Sequence, residues 1–587
     1  MGAPKLYTVT NWVFPDTALC SELPLYFRCS PASYYSFAKR QLHFLENGVV
    51  TVDTYFNSFS VGKWKKYTGI NNLCFSLIGV GKFLLRFGLR RYCHGLRWLY
   101  EYEVTLSGEE QTIELPFWYG LDDGILMIEI LSLSAGWLSG ARYLTSSEPC
   151  TSVTLGIVIT TFNRQPYTIG AENRIREQLL SDSEWCEHIQ LIIVDNGRNL
   201  SPDDVPSACV IPNKNLGGTG GFTRGLLHLL GSGVFTHCLF MDDDASCEVE
   251  SIKRTYRLLQ YSHVSGLAIA GALFREVEPF RQFENGARFD GLCRPIKSGL
   301  DMRDHSAVVL NEVEEVVDYG GWWFFAFALQ DVKELPFPFF VRGDDVMFAF
   351  RHKFKILTMN GICSWADDFS LKSGPLPTYL DVRSHLIQGL VENIRITRLQ
   401  LVLLTWRFFA ASALSYNYAT AKAVILAVRD VLAGPTFFEQ FPDAAHTREE
   451  IAEFAGVERV TAIDRASIAF VQPRDLRESK VRFLWRWLSF NGHLIPHCFL
   501  KRGIVFQPKS FRGSLRQIFG WQHVLYLYEP LSVGYIIGQD KKVFFRLLWS
   551  QVLMSLKLFM RTKSLKRQYA EAHTYLTSAA FWNRVLY

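Results

Sequence analysis

Cys238-Leu-Phe-Met-Asp-Asp-Asp-Ala245 is an apolar strand that runs directly into three consecutive acids. Three carboxylates at the end of a buried strand repel one another and resist desolvation, so a chain keeps them there when a cation neutralises them. Side chains alternate along an extended backbone, which sets Asp242 and Asp244 on one side and Asp243 on the other. The outer pair is then spaced to share one divalent ion. A solvated turn with an aspartate helix cap explains the triplet alone equally well, so the flanking chain has to decide.

On either side, residues 153–160, 191–194 and 267–273 are further apolar strands, with polar-faced helical patterns between several of them. Strands alternating with helices predict a mostly parallel sheet whose ligands sit at the carboxyl ends of the strands. Those ends carry Thr160-Thr-Phe-Asn-Arg164, Asp195-Asn-Gly197 and the acid triplet. Arg164 offers a fork of donors to a phosphate or a base edge, and Asp195 accepts from the imide or ribose of a nucleotide. A surface ion pair and an ordinary turn are the plainer alternatives. Next comes Asn213-Lys-Asn-Leu-Gly-Gly-Thr-Gly-Gly-Phe-Thr-Arg-Gly225, opening onto an apolar helix at 226–230. Its glycines predict close backbone approach to a diphosphate, with the helix N-terminus favouring negative charge. The run contains neither a Walker nor a dinucleotide fingerprint.

Ile159-Thr-Thr-Phe-Asn-Arg164, Asn215-Leu-Gly-Gly-Thr-Gly-Gly-Phe222 and Phe240-Met-Asp-Asp-Asp244 together resemble the family 2 glycosyltransferases of the GT-A fold. Within them, the likeness is to the galactofuranosyltransferases that build bacterial galactan. Asp53-Thr-Tyr-Phe-Asn57 with Trp64 and Tyr67-Thr68 resembles that family's N-terminal β-sandwich, and residues 578–582 resemble its terminal segment. The resemblance implies an α/β catalytic GT-A domain with a Rossmann-like mixed sheet, a UDP-galactofuranose donor, and a galactan or lipid-linked glycan acceptor. It implies Mn²⁺ or Mg²⁺ on Asp242 and Asp244, and nucleotide-sugar contacts from Thr161, Arg164, Asp195, Asn215, Gly218 and Asp243.

Two later stretches extend it. Tyr319-Gly-Gly-Trp-Trp-Phe-Phe325 presents adjacent indoles, which stack on sugar rings, and by resemblance Trp322 and Trp323 line the acceptor site. On the residues alone, one of the two faces the core. Phe340-Val-Arg-Gly-Asp-Asp-Val-Met-Phe348 supplies a second acid pair. An inverting transfer needs a carboxylate to take the acceptor hydroxyl's proton; Asp345 matches the family's base and Asp344 its acceptor-binding neighbour. An N-cap and a helix-dipole residue are the structural alternatives. This chain departs from the pattern twice: Gly343 stands where the family has Trp, and Ser364-Trp-Ala-Asp-Asp368 puts Ala366 where the family's third metal ligand, a His, belongs. Asp367, Asp368 or His385 is the replacement to test. A rhamnosyl or galactopyranosyl donor, or a carbohydrate-binding scaffold whose centre has decayed, remain as alternatives.

Length and composition frame the rest. The 587 residues exceed one core, 48% of them are hydrophobic and 14% aromatic, and the formal charge of +5 points to no nucleic-acid partner. Twelve scattered cysteines without zinc spacing, and no apparent leader, lead to a reducing cytoplasmic expectation. Residues 1–150 read as a β-sandwich or jelly roll, 151–385 as the catalytic domain, 386–500 as helical, and 501–587 as a helical, basic, amphipathic region. Residues 53–68 carry sugar-binding types of side chain but read more simply as core. The basic and apolar residues of 82–97 suggest an anionic lipid contact or, more plainly, a packed loop or helix. No apolar run reaches the length of a spanning helix. The basic, aromatic stretch 543–560 predicts peripheral membrane contact or a homo-oligomer interface.

Overall fold

The computed structural model describes residues 5–391, 394–473, 478–510 and 513–586. From Tyr7 to Thr145 the strands hydrogen-bond into one 11-stranded antiparallel sheet. Its centre is Cys74–Arg90, a 17-residue strand. One part of that strand pairs with Gly136–Thr145 and Gln111–Glu114, the other with Ile125–Ser132 and Arg97–Ser107. The change of partners falls at Gly81, whose φ of +128° no branched residue adopts comfortably. Here the structure corrects the reading of residues 82–97: they belong to a β-hairpin rather than a helix. Their charges are largely spent on neighbouring acids, in the pairs Lys82–Glu103, Arg86–Glu101, Arg86–Glu129, Arg90–Asp53 and Arg91–Asp122.

The second unit is built on a seven-stranded mixed sheet. Its strands are β1 (Leu155–Thr161), β2 (Ile189–Asp195), β3 (Ala208–Pro212), β4 (His237–Asp242), β5 (Leu267–Ala270), β6 (Phe325–Ala328) and β7 (Lys355–Leu357), in the order β3-β2-β1-β4-β6-β5-β7. Strands β1 to β4 run parallel and β6 runs against them. Fully buried strands need the continuous apolar runs that the sequence shows. The expected strand at 267–273 is split: Gly271 carries the chain from β5 into Ala272–Arg275, which joins a separate sheet with Glu278–Glu284 and β8 (Cys363–Ala366). That step brings β8 beside the end of β4, where Ser246 and Trp365 bridge through two backbone hydrogen bonds of 2.9 and 2.7 Å.

The two units share a single apolar core that includes Phe56, Trp64 and Phe75 from the first and Ile157, Phe274 and Trp365 from the second. The sugar-binding look of residues 53–68 resolves as packing. Tyr55 sits against Phe274, Phe56 against Trp365, and Asn57 holds the Val13 and Tyr26 backbones.

Helices α1 (Gln165–Ile175), α2 (Gly217–Ser232), α3 (Val249–Tyr261) and α4 (Asp344–His352) accompany the mixed sheet. After them come α5 (Pro375–Leu390), α6 (Arg398–Ala413) and α7 (Tyr418–Ala433), within and just before the stretch expected to be helical; residues 392 and 393 lie outside the described residues. The C-terminal third is not purely helical. A five-stranded sheet contains Lys501–Pro508, Trp521–Tyr528 and Val533–Gly538, a correction to the helical expectation for 501–587. Beyond α8 (Lys480–Leu488), the last long element is α9 (Lys541–Leu576), 36 residues and, by length and composition, apolar enough to cross a membrane. One face of α9, with Phe544, Leu547, Gln551, Leu558, Leu565 and Tyr569, is buried.

Candidate active site

Four chain segments converge at the carboxyl end of β1, β2 and β4. Thr161 ends β1, buried, with its hydroxyl accepting from Thr168 Oγ1 at 2.9 Å. Arg164 caps α1 and directs its guanidinium at the triplet, 2.5 Å from Asp244 Oδ2 and 3.6 Å from Asp243. Lys372 approaches from the opposite loop, its Nζ 2.8 Å from the same Asp244 oxygen. Burial pushes Asp242 up to about 7, with the neighbouring Asp244 charge adding to the effect. Burial likewise pushes Asp243 up to about 6. For Asp244 burial works in the same direction, but Lys372 and Arg164 outweigh it and hold the carboxyl below its usual range. Asp243 and Asp244 also line a cavity of about 460 Å³ with Tyr167, Arg174 and Glu276.

Other expected nucleotide-site residues have structural duties. Asp195 is 1% exposed and accepts from the backbones of Gly197, Asn199 and Leu200 at 2.7–2.9 Å, so it shapes its own loop. Asn215 accepts from Gly217 N at 3.1 Å. The glycine-rich run is not a loop: it is already helix from Gly217. A Cβ at Gly221 would lie 1.8 Å from Thr160 Oγ1, and one at Gly225 2.3 Å from Val158, so these glycines let α2 lie flat on β1. A Cβ at Gly218 would meet nothing nearer than Phe222 at 4.0 Å, so no close packing demands this glycine. In the first turn of α2, Thr219 N donates to Phe340 O at 3.1 Å, so this donor is not free for a phosphate.

Thr219 also ties α2 to the second acid pair, its hydroxyl donating to Asp344 Oδ2 at 2.6 Å. Asp344 is buried, and burial raises its carboxyl. Asp345 instead faces a cavity of about 480 Å³ walled by Phe283, Trp323, Phe369, Tyr319 and Phe408. Burial, followed by the Asp344 charge, pushes Asp345 up to about 8, and Asp242 contributes repulsion from across the site. Trp323 lines this cavity; Trp322 does not. Trp322 is 5% exposed and packs between Phe222, Phe240 and Phe348; the two indoles part at a turn just before β6 rather than by strand alternation.

Three lining residues escaped the sequence reading. Glu284, buried and pushed up to about 8 by burial and by Asp345, shares the cavity with Asp345. Arg342, at φ +71°, pairs with Asp381 through two 2.8 Å bonds. Arg407 arrives from α6. Only an acid in the otherwise amphipathic strand 278–284 hinted at the first.

The candidates for a third metal ligand are dispersed. His385 stacks on Phe289 at 5.4 Å inside the Asp345 cavity, 3.6 Å from Cys293 Sγ. Asp368 accepts from Ser370 N and lies 3.5 Å from Arg275. Counting outward from the Ser246–Trp365 bridge sets Asp367 opposite Asp244, and the two charges act together on Glu276. Among the described residues no group of three His, Cys, Asp or Glu side chains is arranged to hold a metal ion. Two hard carboxylate oxygens fit Mg²⁺ or Mn²⁺ when phosphate oxygens and water complete the sphere, so Asp242 and Asp244 suit a cation carried in with a diphosphate. At Gly343, φ is +84° and a Cβ would meet Ser384 at 2.5 Å, so the helix start leaves no room for the family's indole.

A mixed sheet with acids at its parallel-strand ends, and a second buried acid pair of which Asp345 opens onto an aromatic cavity, agrees with the α/β catalytic domain expected from the resemblance to glycosyltransferases. No family profile matches the sequence. The chain is similar to two proteins named galactofuranosyltransferase GlfT2. The one from Mycobacterium tuberculosis is 25% identical over 433 residues, covering 66% of this chain and 65% of the relative's length. The one from Mycolicibacterium smegmatis is 23% identical over 603 residues, covering 92% and 88%. Among solved structures, a mannosyltransferase from Pyrobaculum calidifontis in complex with GDP-Man and Mn²⁺ aligns over 52% of this chain and 81% of its own, at 14% identity and a TM-score of 0.29. Glucosyl-3-phosphoglycerate synthase from Mycobacterium tuberculosis, with Mn²⁺, UDP and product, aligns over 40% and 78% at 14% identity and 0.27.

Proposed function

We propose that this chain is a metal-dependent inverting glycosyltransferase that moves galactofuranose from UDP-galactofuranose to a hydroxyl of a galactan or lipid-linked glycan. The observation that carries the reading is Asp345: a carboxylate raised to about 8 at the start of α4, lining an aromatic cavity within electrostatic reach of Asp242 on the strand end. The similarity to the two GlfT2 proteins supports the choice of sugar.

Asp345 takes the proton of the acceptor hydroxyl as that oxygen attacks the anomeric carbon; a base titrating near the working pH combines availability with driving force. Trp323, Phe283 and Phe369 offer ring faces to the acceptor sugar, and Glu284 accepts from its hydroxyls. On the donor side, Asp242 and Asp244 hold the Mn²⁺ or Mg²⁺, with Asp367 as the replacement for the family's His. A bound divalent ion supplies charge stabilisation to the departing UDP. Thr161, Arg164, Asp243 and Gly218 border the space for the nucleotide sugar, with Asp195 and Asn215 setting the loops around it. Asp344 and Trp322 act behind the site, fixing α4 and the cavity floor.

The N-terminal sheet, whose long strand changes partners midway, is read as the family's two-layer β-sandwich. The twelve cysteines are all free thiols, in keeping with a cytoplasmic setting. Peripheral contact with an anionic membrane is supported by α8, which has no buried residue and exposes Trp485 and Trp487, and by Trp549, Leu556 and Met560 along α9. No acid occurs between residues 541 and 570, so this face complements acidic headgroups. Flotation with acidic vesicles checks it; a dimeric or larger species in sedimentation, lost on making these positions polar, points instead to a homo-oligomer.

Asp345→Asn is the test of the chemistry. Transfer from UDP-galactofuranose should fall by about 10²–10⁴-fold with UDP affinity retained; near-normal transfer overturns the mechanism.

A further inference from the structure

We propose that Lys372 contacts the donor's diphosphate and balances the charge of the leaving UDP, and that Lys509 is the positioning residue that holds it there. The inference rests on the nucleotide-diphosphate reading above. At Asp244 two protein cations meet one carboxylate, Arg164 at 2.5 Å and Lys372 at 2.8 Å. Ala366, a buried methyl at the end of β8, brings no ligand or charge to this point. A diphosphate bound beside Asp242 and Asp244 therefore lies within reach of the Lys372 side chain, which is one-third exposed.

The backbone beneath it is not free. Leu371 N donates to Asp368 O, Ser370 N to Asp368 Oδ1, and Arg342 Nη2 to Lys372 O. Lys509, at the end of the C-terminal Lys501–Pro508 strand, inserts its ammonium among Ser370 O, Ser373 O and Ser373 Oγ at 2.7–3.1 Å. Lys509 is 4% exposed and makes no ion pair with a carboxylate among the described residues. Burying an ammonium to bond three loop oxygens is costly, and its effect is to fix one short segment between the acid triplet and the Asp345 cavity, which Phe369 of the same segment lines.

During transfer the bond from the anomeric carbon to the β-phosphate oxygen breaks and its electron pair stays on that oxygen. The Lys372 ammonium keeps its proton and stabilises the new charge through a charge-assisted hydrogen bond. The acceptor's proton goes to Asp345, so the step balances without further reactants.

Calorimetry with UDP and with uridine on the full chain, with and without Mn²⁺, tests this. Lys372→Met should weaken UDP binding about 10- to 100-fold and leave uridine binding unchanged, and Lys372→Arg should restore most of it. Lys509→Met should act in the same direction, more weakly. Mn²⁺ affinity without nucleotide, read by electron paramagnetic resonance, should hold or rise in Lys372→Met, because a competitor for Asp244 is gone. Undiminished UDP affinity in Lys372→Met overturns the inference, as does an equal loss for uridine or a parallel fall in Mn²⁺ affinity. A wild-type chain that binds no UDP under either condition overturns the donor reading as well.

Discussion

The acids of β4 and those of α4 meet the same problem, carboxylates held out of water, and meet it differently. At Asp244 two cations close in and keep the carboxyl ionised. At Asp345 and Glu284 no cation makes an ion pair among the described residues, aromatic walls replace water, and both carboxyls rise to about 8. Environment, not residue type, separates an anchor for charge from a group that exchanges a proton.

The sharpest way to break that contrast is Asp345→Asn, whose loss of transfer should exceed every other single change while the UDP affinity stays within about twofold. Asp242→Asn should act on the other side, lowering Mn²⁺-dependent UDP affinity by about 10- to 100-fold with acceptor binding unchanged. The indole pair offers a third separation. Trp322→Ala removes a buried side chain and should cost about 3–5 kcal/mol of stability, seen in the melting temperature. Trp323→Ala should raise the acceptor KM with much less thermal effect.

The smallest effects concern pH. With Asp345 as the proposed base, kcat/KM should climb with pH and level off above about 8; Glu284→Gln, which removes a like charge, should move the climb to lower pH. Because the folded pKa of Glu284 lies above its unfolded value of 4.5, the stability this group contributes is full below that value and is lost as pH rises through about 8. Wild-type melting temperature should therefore fall over that window more steeply than that of Glu284→Gln.

The strand ends were legible because buried parallel strands leave continuous apolar runs and their tips must be polar. Asp242, Asp243, Asp244 and Arg164 meet at the strand ends, Asp344 and Asp345 open α4, and each was readable from a local pattern. Residues 82–97 misled because cross-strand acids neutralise their basic side chains, and those acids are at least 15 positions away in the chain, as in Arg86–Glu101. The glycine run misled for a related reason: its glycines answer to Thr160 and Val158 on another element. Glu284, Arg342 and Arg407 reach the cavity from separate elements, and no spacing along the chain records that they meet.

The shared core beneath Trp365 bears on modularity. Phe56 of the N-terminal sheet packs on the ring whose backbone bridges to Ser246, and Tyr26 donates to Glu248 at 2.6 Å just beyond it. Cutting the chain near residue 150 would strip one wall from the floor under the acid triplet and leave a large apolar face in water. The β-rich unit is thus not detachable cargo. Any ancestor that exchanged it for another module would have had to rebuild the seat of the triplet in the same step.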